Sequence, residues 1–119
     1  MNTKILGDMG EKIAAAHLER KGYAIIERKF KTRVGEIDLI ARQNHVIVFI
    51  EVKTRQSLEF GRPGEAVGYK KQQKIIRTAS WYIRQKHLED VSCRFDVIEV
   101  YCCQEGYHIN QIENAFEVC

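Results

Sequence analysis

The sequence has no apolar run long enough to cross a bilayer. Its longest run, residues 46–50, suits a buried strand, whereas a membrane-spanning helix needs about 20 apolar residues. The first twelve residues lack the apolar stretch of a secretory signal, so we expect a cytoplasmic protein with no membrane partner. One proline in 119 residues excludes collagen-like and proline-rich repeats, and we expect a single domain over residues 1–119.

Several chemical signatures are also missing. The four cysteines form no CxxC pair, and two of them are adjacent, so we predict reduced thiols rather than a zinc site or a disulfide framework. There is no phosphate-binding P-loop, no dinucleotide glycine motif and no GxSxG elbow. Enzymes of those classes are therefore disfavoured.

The charge is unevenly distributed, although the formal net charge is only +3. Residues 1–87 carry 18 basic and 9 acidic side chains, whereas residues 88–119 carry 1 and 7. A split of this kind is typical of a polyanion-binding surface, but it also occurs by chance in small domains.

The hydrophobic pattern predicts mixed α/β structure in the order α-β-β-β-α-β-β. The first helix is expected over residues 4–20, with a cap at Asn2 or Thr3, a buried stripe of Leu6, Met9, Ile13 and His17, and an end at Lys21-Gly22. Strands are expected over residues 23–30, 34–41 and 46–53, followed by a loop over 56–64. A helix over 65–87 and strands over 94–102 and 108–112 complete a central sheet covered by helices.

The second and third strands form a predicted antiparallel hairpin that gathers acids on one face. The expected register sets Ala41 opposite Val46 and Glu36 opposite Glu51. Strand alternation then makes one face apolar, with Ile37, Leu39, Ala41, Val46, Val48, Ile50 and Val52. The other face holds Glu36, Asp38, Glu51 and Lys53. Because opposed acids repel, a bound divalent cation is a better explanation for them than stability.

This acidic cluster predicts a metal-dependent site that acts on phosphate esters. Asp38 and Glu51 are predicted to hold Mg²⁺ or Mn²⁺, with the carbonyl of Val52 as a further ligand. Lys53 would position or deprotonate a water, or neutralise charge that develops on phosphorus. The alternative is a solvated strand face with ordinary Glu–Lys pairing.

Two motifs in this hairpin resemble a known family. G-E-I-D-L-I-A and V-F-I-E-V-K-T-R are similar to the signature of the YraN family of predicted bacterial nucleases, and the resemblance covers nearly the whole chain. It includes G-x-x-G-E-x-x-A from Gly7, G-x-P-x-E-A-V from Gly61, R-F-D-V from Arg94 and N-A-F from Asn114. That family in turn resembles archaeal Holliday-junction resolvases of the PD-(D/E)XK superfamily. The resemblance implies a restriction-endonuclease-like fold.

The resemblance also assigns roles. It matches Asp38 to the superfamily's aspartate and Glu51-Val52-Lys53 to its E-x-K, with Ile37 where a proline usually stands. It implies that Glu11, on the first helix, lies beside the cation as a third acid, although a helical glutamate is often only solvent-exposed. Glu36 either binds the cation directly or contacts a residue that binds it. Gly7 and Ala14, on the stripe of Glu11, would let the helix lie close to the sheet.

The second helix supplies the predicted phosphate contacts. Six basic residues and no acid occur between Lys70 and His87. A stripe of Lys70, Lys74, Arg77 and Arg84, with Trp81 among them, would follow a nucleic-acid backbone without reading its sequence. Arg33 and Arg55 are expected to flank the acids and clamp phosphates. A basic helix face can also be merely solvated.

Three functions are compatible with these patterns. The first is a metal-dependent endonuclease acting on DNA, with branched or junction DNA as one substrate class. The second is a non-catalytic nucleic-acid-binding module that retains the nuclease fold, and the third is an interaction protein or an enzyme of other phosphate chemistry. The intact acid–acid–lysine set favours the first. A resolvase-like activity would favour a homodimer, because two active sites cut both strands symmetrically.

Overall fold

The computed structural model of the chain describes residues 2–56 and 67–117. Seven elements follow one another in the predicted order. They are α1 (Thr3–Arg20), β1 (Ala24–Lys31), β2 (Glu36–Gln43), β3 (Val46–Gln56), α2 (Tyr69–Gln85), β4 (Ser92–Cys103) and β5 (Gly106–Phe116). Most of the predicted loop, and the segment from Gly61 to Ala66, lie outside the described residues.

The five strands form one sheet in the order β1-β2-β3-β4-β5. Only β3 and β4 are parallel, and the chain between them contains α2, as a parallel connection requires. The two helices cover opposite faces: α1 packs with Leu39 and Val48, and α2 packs with Ile40 and Phe49. The prediction of a mixed α/β fold with helices flanking a central sheet is therefore confirmed. Within the described ranges, no helix is long and apolar enough to cross a membrane.

Helix α1 begins as predicted, because the Asn2 side chain accepts a hydrogen bond of 2.8 Å from the Ile5 amide. Its buried face differs from the predicted stripe. The buried residues are Gly10, Ala14, Ala15 and Leu18, whereas Leu6, Met9, Ile13 and His17 are only half-buried. Small residues let the helix backbone approach β3, and a Cβ atom on Gly10 would collide with the Thr54 hydroxyl. The close approach predicted for Gly7 is wrong, because a Cβ atom there would have no atom of the described residues within 4 Å.

The turn between β2 and β3 sets a different register from the one predicted. Gln43 pairs with Val46, so the turn consists of Asn44 and His45 alone, with Asn44 in the left-handed region at a φ of 54°. This pairing shifts the register by two residues and places Ala41 opposite Val48 rather than Val46. The opposition of Glu36 and Glu51 is therefore wrong.

The paired part of this hairpin ends at Leu39 and Ile50, before the acidic residues. Beyond that point Ile37 packs in the α2-side core, whereas Leu39 packs in the α1-side core, so Ile37 does not share the predicted apolar face. Gly35, just before β2, lies against Thr78 and Lys74 of α2, so the beginning of β2 packs on that helix.

Candidate functional site

Two carboxyl groups meet where β2 and β3 separate. The Asp38 carboxylate accepts a hydrogen bond of 2.8 Å from the backbone amide of Val52, just beyond the last paired residues of the two strands. It also forms a hydrogen bond with the side chain of Glu51, which is only 8% exposed. Asp38 therefore binds the backbone just beyond the last paired residues of the hairpin, and its carboxyl group contacts the buried carboxyl group of Glu51.

The contact changes the acidity of Asp38. Burial raises its pKa, the neighbouring Glu51 and the more distant Glu11 raise it further, and the bond from Val52 only partly opposes them, so the pKa reaches about 8. Near neutral pH the Asp38 carboxyl group therefore largely keeps its proton. A positive ion between them would take the place of that proton.

Lys71 of α2 brings a positive charge to this pair. Its ammonium group lies 2.9 Å from the Glu51 carboxylate. Burial lowers the pKa of Lys71, but the hydrogen bond and attraction to Glu51 outweigh burial and leave its pKa raised. The sequence analysis missed this role because it concentrated on the exposed basic stripe. The available signal was the spacing of Lys71 four residues before Ile75, on the buried side of the helix.

Glu11 lies near the pair but has its own partner. Its carboxylate is 2.7 Å from the ammonium group of Lys29, which also contacts Asp8 at 2.9 Å. Both acids raise the pKa of Lys29, and Asp8 raises it more strongly than Glu11 does. Lys29 has a φ of 52°, an uncommon conformation for a residue with a side chain. Glu11 therefore adds negative potential at Asp38 while it remains paired with Lys29.

The other two predicted residues lie around the pair. Glu36 is half-buried, pairs across the sheet with Lys31, and is close enough to contribute to the raised pKa of Lys71. Lys53 is also half-buried, two residues beyond Glu51 on β3, and lies in register with Glu99 of β4.

The donor set around Asp38 and Glu51 suits a hard divalent cation. Mg²⁺ in proteins commonly binds one or two carboxylates and completes its shell with water and substrate phosphate. Over residues 2–56 and 67–117, no three acid, histidine or cysteine side chains are close enough together to form a metal site. The two carboxyl groups fit the cation, whereas Glu11 would have to leave Lys29 to become a third ligand.

The predicted phosphate-binding residues divide into separate surfaces. Lys70, Lys74 and Arg77 line a shallow concavity of about 390 Å³ on the exposed face of α2. Arg33 lies in the turn between β1 and β2 and faces a second groove that it shares with Arg77. Arg55 lies on β3, half-buried and paired in the sheet with Tyr101.

Relatives of this chain occur in several bacteria. It is 50% identical over 119 residues to a UPF0102 protein of Caldanaerobacter subterraneus, a match covering 98% of each chain. It is 47% identical over 116 residues to a UPF0102 protein of Clostridioides difficile, covering 98% of this chain and all of the relative. A UPF0102 protein of Alkaliphilus oremlandii is 50% identical over 118 residues, with 98% of this chain and 100% of the relative covered. The model of the family described as "Uncharacterised protein family UPF0102" matches residues 10–100, and the chain therefore belongs to this YraN-like family.

Proposed function

We propose that this protein is a divalent-cation-dependent endonuclease that hydrolyses phosphodiester bonds of DNA. The observation that carries the proposal is the hydrogen-bonded pair of Asp38 and Glu51 at the open end of the β2–β3 hairpin. The assignment of the α/β sheet to the PD-(D/E)XK nuclease fold is part of the proposal, and rests on the resemblance of the hairpin motifs.

A functional role explains the carboxyl pair better than a structural one. Burial and then repulsion from Glu51 raise the pKa of Asp38, so ionising both acids in contact would oppose folding. Lys71 supplies one positive charge to these two acids, whereas the buried Asp96 is paired with Arg94 at 3.0 Å, so a position that served only stability would be better filled by an apolar residue. Retained electrostatic strain of this kind is typical of active sites.

Each residue of the site has a distinct task in the proposed hydrolysis. Asp38 and Glu51 would hold Mg²⁺ or Mn²⁺, which supplies polarisation of a phosphate oxygen and a lowered pKa for a bound water. Lys53 would orient the attacking water or stabilise the charge that develops on phosphorus. Lys71 neutralises part of the charge of Glu51 before substrate arrives. Glu36 and Glu11 add negative potential around the cation.

The neighbouring surface is compatible with a polyanionic substrate. Lys70, Lys74 and Arg77 lie on the same helix as Lys71, so they would be available to the phosphates of a strand bound at the carboxyl pair. Contacts of this type bind phosphates regardless of base sequence. Branched or junction DNA is the proposed substrate class by resemblance to the resolvases, and a homodimer would allow paired cuts.

The direct test is cleavage of linear, flapped and four-way DNA by the purified protein with Mg²⁺, with Mn²⁺ or with EDTA. We expect cleavage with either cation and none in EDTA. Glu51→Gln should not cleave, whereas Glu19→Gln, which removes an equal charge from the exposed end of α1, should cleave like the parent.

The alternative function is a nucleic-acid-binding module without turnover. It predicts DNA binding but no cation-dependent cleavage of any substrate by the parent protein. Cleavage that persists unchanged in Glu51→Gln would instead contradict the assigned site, because the activity would then come from other residues or from a contaminant.

A further inference from the structure

A second surface, separate from the carboxyl pair, combines an exposed indole with four cations. It is a groove of about 920 Å³ between the β1–β2 turn and the outer face of α2, within the size range of ligand sites. Trp81, at 43% exposed, forms part of its wall. The cations that line it are Lys31, Arg33, Arg77 and Arg84.

The Trp81 ring is held in place from below. Its centroid lies 6.1 Å from that of Phe30, and Phe30 packs edge-on against the buried Tyr82 at 5.1 Å. The indole is thus anchored to the α2-side core while a large part of it faces solvent. An aromatic ring with restricted motion loses little conformational entropy when a flat ligand stacks on it.

The charge of the groove is of one sign. No acidic residue contributes to its wall within the described part of the chain, and Lys31, Arg33 and Arg77 are all exposed. Arg33 is presented by a tight turn in which the Thr32 amide donates to the carbonyl of Gly35 at 2.8 Å. The surface is therefore complementary to an anion that also carries flat apolar groups.

We propose that this groove binds a single-stranded stretch of nucleic acid, with a base stacked on Trp81 and the adjoining phosphates on the arginines. Stacking on an aromatic side chain combined with a cationic groove is how proteins bind single strands without sequence preference. A paired duplex does not offer its base faces in this way, so Trp81 would select unpaired nucleotides. This inference rests on the proposed function, since it assumes a nucleic-acid substrate.

The position of the groove relates it to the carboxyl pair. Trp81 lies ten residues after Lys71 on α2, which corresponds to about 15 Å along the helix axis. A strand with about 3.4 Å between stacked nucleotides would cover that distance in about four nucleotides. The phosphates between them would meet Lys74 and Arg77, which lie on the intervening turns. The groove would thus hold the unpaired arm of a branched or flapped DNA whose phosphodiester lies at Asp38 and Glu51.

The chain offers a direct probe, because Trp81 is its only tryptophan. Short oligothymidylate and oligouridylate are titrated into the parent protein in EDTA, and the intrinsic tryptophan fluorescence is recorded. The matched control is an abasic deoxyribose-phosphate oligomer of equal length and charge. We expect quenching by at least one base-containing oligomer, and the comparison of the two shows which of these oligomers is preferred. We expect little quenching by the abasic oligomer.

Variants then test the contribution of the ring to affinity, measured by anisotropy of a labelled oligomer. Trp81→Leu should weaken binding of single strands by about 5- to 150-fold, the range expected for one lost stacking contact, and leave binding of blunt duplex nearly unchanged. Trp81→Phe, which keeps a smaller ring against Phe30, should give an intermediate affinity. Tyr107→Leu, at another exposed aromatic in β5, should bind like the parent.

The outcomes separate this inference from the proposed nuclease activity, because all binding is measured in EDTA without cleavage. Absence of quenching by both base-containing oligomers, or equal quenching by the abasic one, overturns the stacking site even if the parent cleaves DNA. Equal losses for single strands and duplex in Trp81→Leu overturn it as well. Base-dependent quenching supports it even in a protein that does not cleave.

Discussion

Replacement of Asp38 by asparagine should stabilise the protein when no divalent cation is present. Asparagine has nearly the same shape, can still accept the hydrogen bond from the Val52 amide, and can donate one to Glu51 as a protonated Asp38 does. The substitution replaces only an ionisable carboxyl group, which must keep a proton in the folded protein, with a neutral amide. Its effect on stability therefore isolates the electrostatic cost of the site.

The magnitude follows from proton linkage. An unfolded aspartate has a pKa of about 3.9, and Asp38 in the folded protein has a pKa of about 8. Because the folded pKa is the higher one, the contribution of Asp38 to stability is greatest below pH about 4 and is lost as the pH rises towards 8. At about 1.36 kcal/mol per pKa unit, Asp38 can lower the free energy of unfolding at neutral pH by at most about 4 kcal/mol. Lys71 stabilises the ionised pair and reduces this cost. We therefore expect the free energy of unfolding of Asp38→Asn at neutral pH to exceed that of the parent by about 1–3 kcal/mol.

The measurements are urea unfolding and thermal unfolding in EDTA, both followed by Trp81 fluorescence, at pH about 5 and at pH about 8. The difference between Asp38→Asn and the parent should be small at the lower pH and grow at the higher one, where a gain in Tm of about 4–12 °C is expected. The matched control is Asp96→Asn. Asp96 is buried beside Arg94 rather than beside an acid, so this variant should be less stable by about 3 kcal/mol. A loss of stability in Asp38→Asn at the higher pH would refute the reasoning.

Further outcomes are expected of the site and the basic helix. Millimolar Mg²⁺ should raise the Tm of the parent at pH about 8 but not that of Asp38→Asn, as measured by thermal unfolding, because only the intact pair offers two carboxylates. Glu51→Gln should lose cleavage while DNA affinity, measured by anisotropy, is unchanged or higher, since one negative charge is removed. Lys53→Ala should lower the cleavage rate by about 100-fold or more and still bind the cation, which calorimetry would detect. The triple change of Lys70, Lys74 and Arg77 to glutamine should lower the affinity for every DNA ligand by a similar factor. It should also reduce the salt dependence of binding by the equivalent of about three phosphate contacts. The control Lys12→Gln, on α1, should have neither effect.

Local patterns in the sequence were sufficient for the order of elements. Alternating apolar residues in β2 and β3, the Asn2 cap and the Lys21-Gly22 end of α1 are short-range signals, and the structure has those elements. The same patterns identified Asp38, Glu51 and Lys53 as neighbours on one hairpin. Period-two alternation, however, does not specify which residues are opposite one another, because a shift of two residues keeps every side chain on its face.

The tertiary structure decided which charges meet. The two-residue turn at Asn44-His45 replaced the predicted opposition of Glu36 and Glu51 by the contact of Asp38 with Glu51. The packing of α2 brought Lys71 to that contact, since its partner is 20 residues away in the chain. These relations depend on how elements pack, and no local pattern encodes that geometry.

The same distinction applies to the helices. Sequence spacing placed Trp81 on the basic stripe of α2, but only the packing of Phe30 beneath it and of the β1–β2 turn beside it made a groove. Glu11 was identified by resemblance as an acid near the site, whereas its ion pair with Lys29 joins α1 to β1 and forms only when the helix packs on the sheet. The sequence by itself therefore determined the elements and the chemistry they carry. The tertiary structure decided their partners, because a contact between distant residues forms only when the whole sheet is assembled.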